Sequence, residues 1–220
     1  MSGRLAQFRA PLPEVPEHWQ PSWNLSPGQQ LLILRKIDKR VECARVLWNL
    51  TPGWLKDLSR APFTAKAEFL HDKAMFREPL VQRRCLIPVE GYYVWQQQGR
   101  RKQPWYLRRE QDSLALAGLW DRYQLEDGTF WDSCVLITAP AKGLPARLTD
   151  RMPVALNQAE QAIWLAHATA PRALQPLLLN AEPQVQLMYP VNPAVSNPAT
   201  QGPHCTSPTG HPVRLTPGTD

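Results

Sequence analysis

Apolar positions fall in short bursts along most of this chain. Leu31–Leu34 is a compact apolar run suited to a buried strand. Five more runs follow the same habit: Arg84–Val89, Tyr92–Gln96, Trp105–Arg109, Leu114–Trp120 and Trp131–Thr138. They are rich in β-branched and aromatic residues, and Gly91, Gly99, Gly118 and Gly128 punctuate them, which predicts strands. A different spacing links Phe69, Leu70, Met75, Phe76 and Leu80 and predicts a helix over Ala67–Gln82, which Pro79 should end early. Asn157 with Glu160 forms a capping box ahead of Ile163, Trp164 and Leu165, so a helix starts there. Pro171 suits the first position of another helix ending near Leu179. The prediction is one α+β domain in which strands dominate and helices pack outside.

Two segments lack such patterning. Residues 10–30 hold five prolines and predict an extended surface stretch, with a turn at Ser26-Pro27-Gly28. From Pro193 to Asp220 there are six prolines, three glycines and almost no large apolar residues. Such a segment has little surface to bury against the entropy of ordering it, which predicts a domain over residues 1–197 and a disordered tail over 198–220. In that reading His204 and Cys205 are incidental.

Composition narrows the class of protein. No apolar run is long enough to cross a bilayer and no signal-peptide pattern opens the chain, so a cytoplasmic monomer is expected. The four cysteines, Cys43, Cys85, Cys134 and Cys205, form no Cys-x-x-Cys pair and read as reduced thiols, not a metal site. No cofactor is expected. The net charge of +6 sits on the body, because the last stretch carries only Arg214 and Asp220. A basic body is compatible with a polyanion partner. Nine tryptophans are unusual for this length; some must be core, but indole faces are also platforms for unstacked bases.

Several segments, taken in order, carry a resemblance. They are Ser2-Gly3-Arg4; Asn24-Leu25-Ser26-Pro27-Gly28; Trp48 with Pro52-Gly53-Trp54; Arg83 through Trp95 with Ala117-Gly118-Leu119-Trp120; Asp150-Arg151-Met152-Pro153-Val154; and Pro190-Val191-Asn192. Together they resemble the SRAP family of abasic-site processing proteins, from Ser2 to about Asn197. The resemblance implies a mostly antiparallel, barrel-like β core. It implies single-stranded or abasic DNA as partner and a role in the DNA damage response. In family members a Cys follows the initiator Met. Its freed α-amine attacks the aldehyde of an abasic site, and its thiol closes the imine to a stable thiazolidine. An Asn, a Glu and a His position the terminus and move protons.

The positions that match those groups are changed. Ser2 stands for the Cys, Thr64 for the Asn, Val94 for the Glu and Thr149 for the His. A serine hydroxyl is a far poorer nucleophile than a thiol without an activating base. Val94 carries no proton to transfer, and Thr149 has no pKa near neutrality. The groups that would touch DNA are kept: Arg4, Lys66 and Arg151 as phosphate partners, Trp54 as a stacking surface, Asn24 and Pro27 as shapers of the loop. Trp48, Trp95 and Trp120 are assigned to the core, and Arg83 and Arg84 to the surface. The sequence thus describes a DNA-associated member with an impaired site. Two alternatives stand beside it. One is an active member working through the Ser2 amine, as a lyase or self-processing peptidase. The other is a protein-interaction module.

Overall fold

The structure is a computed structural model that describes residues 3–12 and 14–215. Thirteen strands run through it: β1 Leu5–Gln7, β2 Ser22–Leu25, β3 Gln30–Ile37, β4 Arg40–Trp48, β5 Thr64–Lys66, β6 Arg84–Val89, β7 Gly91–Gln98, β8 Arg101–Arg108, β9 Leu114–Gln124, β10 Phe130–Pro140, β11 Arg151–Pro153, β12 Leu187–Pro190 and β13 Val213–Arg214. Four α-helices accompany them among the described residues: α1 Ala74–Gln82, α2 Gly143–Ala146, α3 Gln158–Leu165 and α4 Pro171–Asn180.

One sheet has the order β11-β10-β4-β3-β6-β9, and a further pairing of β10 with β9 closes five of these strands into a ring. Closure leaves those five strands no open edge. The ring is mostly antiparallel; β10 meets β4 and β5 in parallel. The second sheet runs β13-β12-β8-β7-β1-β2. Leu31, Ile33, Ile87, Leu116 and Leu136 of the ring pack with Leu5, Tyr92, Val94 and Leu107 of the second sheet in one apolar core. Trp164, Leu174, Leu178, Phe76 and Leu80 cover the ring from the helix side in another.

Local chemistry explains the elements, including those the sequence concealed. The capping box at α3 is present in full: the Asn157 side chain accepts from the Glu160 amide, and the Glu160 carboxylate accepts from the Asn157 amide. Pro79 does not end α1, because the helix begins at Ala74 and the Pro79 carbonyl still accepts from the Arg83 amide at 2.8 Å. Arg84 is not a surface charge. It is 2% exposed, and its guanidinium donates to the carbonyls of Leu80, Val81, Trp164 and Ala166. It therefore satisfies the carboxyl-terminal ends of both α1 and α3, groups that a helix leaves unpaired.

Residues 198–215 depart most from expectation. Pro203–Thr206 forms a 3-10 turn, Cys205 is fully buried, and β13 pairs with β12. Cys205 joins Tyr93, Tyr106, Tyr189, Val191 and Val195 in a third apolar cluster on the outer face of the second sheet. Composition misleads here because hydrogen bonds, more than apolar burial, hold the segment. Gln201 accepts from the Trp23 amide and from Ser22 Oγ, and the Thr206 carbonyl accepts from Tyr189 Oη. Among the described residues no helix is long and apolar enough to cross a membrane.

Candidate nucleic-acid interface

The start of the chain is the keystone of the candidate site. β1 lies between β2 and β7, with Leu5 opposite Tyr92 and Ala6 opposite Gly91. The Tyr93 amide donates to the Arg4 carbonyl at 3.1 Å, so Gly3 is delivered alongside Val94. A side chain at residue 3 would collide there: a Cβ would fall 2.8 Å from Pro27 Cγ and 3.0 Å from Phe63 Cε2. Glycine is what lets the first strand lie against the Pro27 ring.

Gly3, Arg4, Val94, Trp95, Lys102, Thr149 and Ser196 line a cavity of about 500 Å³. Of the positions singled out in the sequence, the structure gathers Arg4, Val94 and Thr149 here; Ser2 lies outside the described residues. Val94 is 2% exposed and belongs to the apolar core. Thr149 is held at the end of α2, where its amide donates to the Pro145 carbonyl at 3.1 Å. Neither side chain supplies a group that titrates near neutral pH.

Arg4 is bound to its own protein. Nη1 donates to Asn24 Oδ1 at 3.1 Å and to the Val195 carbonyl at 3.4 Å, and Nη2 donates to the Ser196 carbonyl at 3.1 Å. Asn24 is fully buried, and its Nδ2 donates to the carbonyls of Val195, Asn197 and Thr200. Partial burial lowers the Arg4 guanidinium from its usual value.

The other positions form two separate neighbourhoods. Thr64 lies on β5 beside Leu136 of β10. Beyond it, Arg151 grips Glu68 through two bonds of 2.7 and 2.9 Å and donates to the Thr138 carbonyl at 2.8 Å. Those bonds hold the Glu68 carboxyl below the usual range. Lys66 is exposed, with its Nζ 6.0 Å from the centre of the exposed Phe69 ring. Trp54 is 61% exposed and lines a different cleft with Leu55, Lys56, Tyr123, Leu125 and the carboxylates of Glu126 and Asp127. No residue lines both that cleft and the cavity at Gly3.

Sequence reasoning missed four lining or flanking groups. Trp95 is half-buried rather than core, and its indole donates to Ser196 Oγ at 3.0 Å. Lys102 sits on β8 opposite Gln97 of β7. Its position one hairpin turn beyond Trp95 was a readable signal, since strand neighbours that far apart meet across the turn. Helical spacing assigns Phe69 to an apolar helix face, and the disorder expected beside Ser196 hides it. Trp48 and Trp120 are buried, as expected of them.

Comparison with known proteins places the chain in a family. The chain is 32% identical over 197 residues to the abasic site processing protein YoqW of Bacillus subtilis, covering 87% of each. It is 28% identical to the abasic site processing protein HMCES of Xenopus tropicalis, covering 86% of this chain and 66% of that one. A crystal structure of a protein from Bacteroides thetaiotaomicron shares the fold, with a TM-score of 0.71 at 22% identity, covering 84% of both chains. The description "SOS response associated peptidase (SRAP)" matches residues 3–198, so this chain belongs to the SRAP family.

Proposed function

We propose that the protein binds single-stranded DNA at abasic sites without sealing a stable covalent bond to the lesion. The family and the names of its relatives support abasic-site processing in DNA damage as its setting. One observation carries the narrower reading. A cavity lies beside Gly3, and the two substituted reaction positions that line it are Val94, with an alkyl side chain, and Thr149, with a hydroxyl. Imine formation and ring closure both need proton transfers, and neither side chain performs them at neutral pH. The roles of Ser2 and Thr64 as substituted reaction positions belong to the same proposal. So do those of Arg4, Asn24, Pro27, Trp54, Lys66 and Arg151 as the DNA-facing set.

The internal bonds refine those roles. Arg4 and Arg151 are held in built networks and shape the surface, whereas Lys66 and Trp54 are exposed and reach outward. An α-amine at Ser2, with a typical pKa of roughly 7.7–8.0, retains a neutral fraction able to form a reversible imine.

The test mixes the full chain with a single-stranded oligonucleotide bearing one abasic site and resolves the products on a denaturing gel. Binding by anisotropy, no heat-stable adduct and at most a faint borohydride-trapped band are expected. A stable adduct without reductant refutes the proposal, and strand scission in its place identifies a lyase.

A further inference from the structure

The cavity at Gly3 carries an electrostatic signature of its own. Its described lining holds two cations, Arg4 and Lys102, and no carboxylate. Arg4 is engaged with Asn24 and two carbonyls, which fixes its charge in the wall. Lys102 is exposed and makes no ion pair or side-chain hydrogen bond among the described residues. Its hairpin partner Gln97 turns its own amide to the Gly99 carbonyl.

Two hydroxyls complete the set. Ser196 Oγ accepts from the Trp95 indole at 3.0 Å. An indole N–H is a donor only, so the Ser196 hydroxyl acts as acceptor toward it and keeps its own hydrogen to donate. The Thr149 hydroxyl makes no hydrogen bond among the described residues and lines the same space. An ammonium and two hydroxyl donors, with a clamped guanidinium behind them and no anion beside them, favour a ligand of several acceptor oxygens and negative charge. A volume of about 500 Å³ admits a group of nucleotide size.

We infer that this cavity is an anion site whose occupant is an internal phosphodiester of the bound single strand, with Lys102 as the contacting cation. The identity of the occupant rests on the DNA-binding reading above; the preference for an anion does not. Inorganic phosphate and a 5′-terminal phosphate share the same oxygens, so the experiment separates the three sources.

The experiment uses the full chain as wild type, Lys102→Gln and Lys102→Arg. Anisotropy titrations with a labelled single strand, with and without a 5′-phosphate, are run over a salt series. In parallel, the phosphorus resonance of inorganic phosphate is followed at fixed ionic strength. Losing one phosphate contact on a single strand reduces the slope of log affinity against log salt by roughly 0.7. That corresponds to roughly fourfold weaker binding at 0.15 M salt. Lys102→Gln should show this loss for both oligonucleotides, and Lys102→Arg should retain the wild-type slope. Inorganic phosphate should broaden with wild type and not with Lys102→Gln.

An unchanged slope in Lys102→Gln overturns the site and leaves DNA binding standing. A Lys102-dependent gain from the 5′-phosphate overturns the internal diester in favour of a strand end. Phosphate broadening without any DNA binding overturns both the diester and the proposed function. Absence of broadening together with absence of DNA binding overturns every part.

Discussion

Arg4 and Asn24 hold each other across β1 and β2, and each also grips the segment that follows β12. Arg4 Nη1 reaches Asn24 Oδ1 at 3.1 Å, and both side chains donate to the Val195 carbonyl. The amino-terminal strand, the Pro27 loop and the carboxyl-terminal segment thereby form one unit.

Asn24→Ala should be among the more damaging substitutions outside the apolar core. It removes one of the three acceptors of the Arg4 guanidinium and the shared donor of three carbonyls, two of them at residues 197 and 200. Leaving such groups unpaired costs about 2–4 kcal/mol. Urea denaturation measures the loss. Arg4→Ala combined with Asn24→Ala should be less than additive, because the two side chains share a partner. Strict additivity would show that they act independently.

Truncation after Asn197 should destabilise the protein. It removes the buried Cys205, the β13 pairing and the Gln201 bonds to β2. A loss of roughly 3 kcal/mol is expected for this set, equivalent to a fall in Tm of about 6–12 °C for a chain of this size. A truncated chain melting with the full one would restore the disordered-tail reading.

The contrast between that tail and the rest shows which physics a sequence makes legible. Alternation and helical spacing report the burial of side chains, so β3, β6, β9 and β10 and the Asn157 cap were readable. β4 was not, because its outer half reads Arg-Val-Glu-Cys-Ala-Arg and most of it is exposed or half-buried. The tail was misread because its order comes from Asn24 and Arg4 meeting its carbonyls and from Gln201 meeting Ser22, Trp23 and Asn24, partners far away in the chain. Arg84 was misread for the same reason, since four carbonyls from two helix ends replace water around it. At the candidate site, motif order located Arg4, Val94 and Thr149. Lys102 and Ser196 become visible only when the β7–β8 hairpin and the tail are in place.

Two glutamates should give stability profiles of opposite sign. Glu68 is held low by the hydrogen bonds from Arg151. Its folded value lies below its unfolded one, so its stabilisation is present above roughly pH 4.3 and is lost as pH falls through the folded value. Glu90 is raised by burial, although the Phe8 amide donates to it at 2.6 Å. Its folded value exceeds the unfolded one, so it penalises the fold increasingly as pH rises from roughly 4.3 through the folded value. Relative to wild type, Glu68→Gln should therefore be most destabilising at neutral pH and approach parity in acid. Glu90→Gln should gain on wild type over the rising interval. Urea midpoints from pH 3 to 7 check both, and parallel profiles for the two variants would contradict the assignments.

Trp54→Ala should weaken single-stranded DNA binding and leave stability nearly unchanged, because the indole is 61% exposed. Loss of a stacked base costs about 1–3 kcal/mol in affinity. Glu126 and Asp127 share its cleft and disfavour a phosphate there, so the loss should be nearly independent of salt. Anisotropy across a salt series reads both quantities; undiminished affinity removes Trp54 from the DNA-facing set.

The reaction chemistry should be recoverable in stages if the substitutions are what silence it. Ser2→Cys supplies a thiol able to close on an imine, yet Val94 and Thr149 still offer no proton relay, so only a slow adduct on abasic DNA is expected. Adding Val94→Glu and Thr149→His should accelerate adduct formation by about 10²–10⁴-fold, the usual worth of general acid–base help. Thr149→His is the gentler change, since residue 149 is half-buried at the cavity wall. Val94→Glu is harsher: residue 94 is 2% exposed within an apolar cluster, and a carboxyl there is desolvated. Melting curves of each variant therefore accompany the gels, and Ser2→Cys with Thr149→His alone serves as the folded intermediate step. Heat-resistant adduct should be absent from wild type and increase from Ser2→Cys through the double variant to the triple variant. Wild-type protein that forms the adduct as fast as a folded triple variant would make Ser2 a working nucleophile and end the reading of a silenced site.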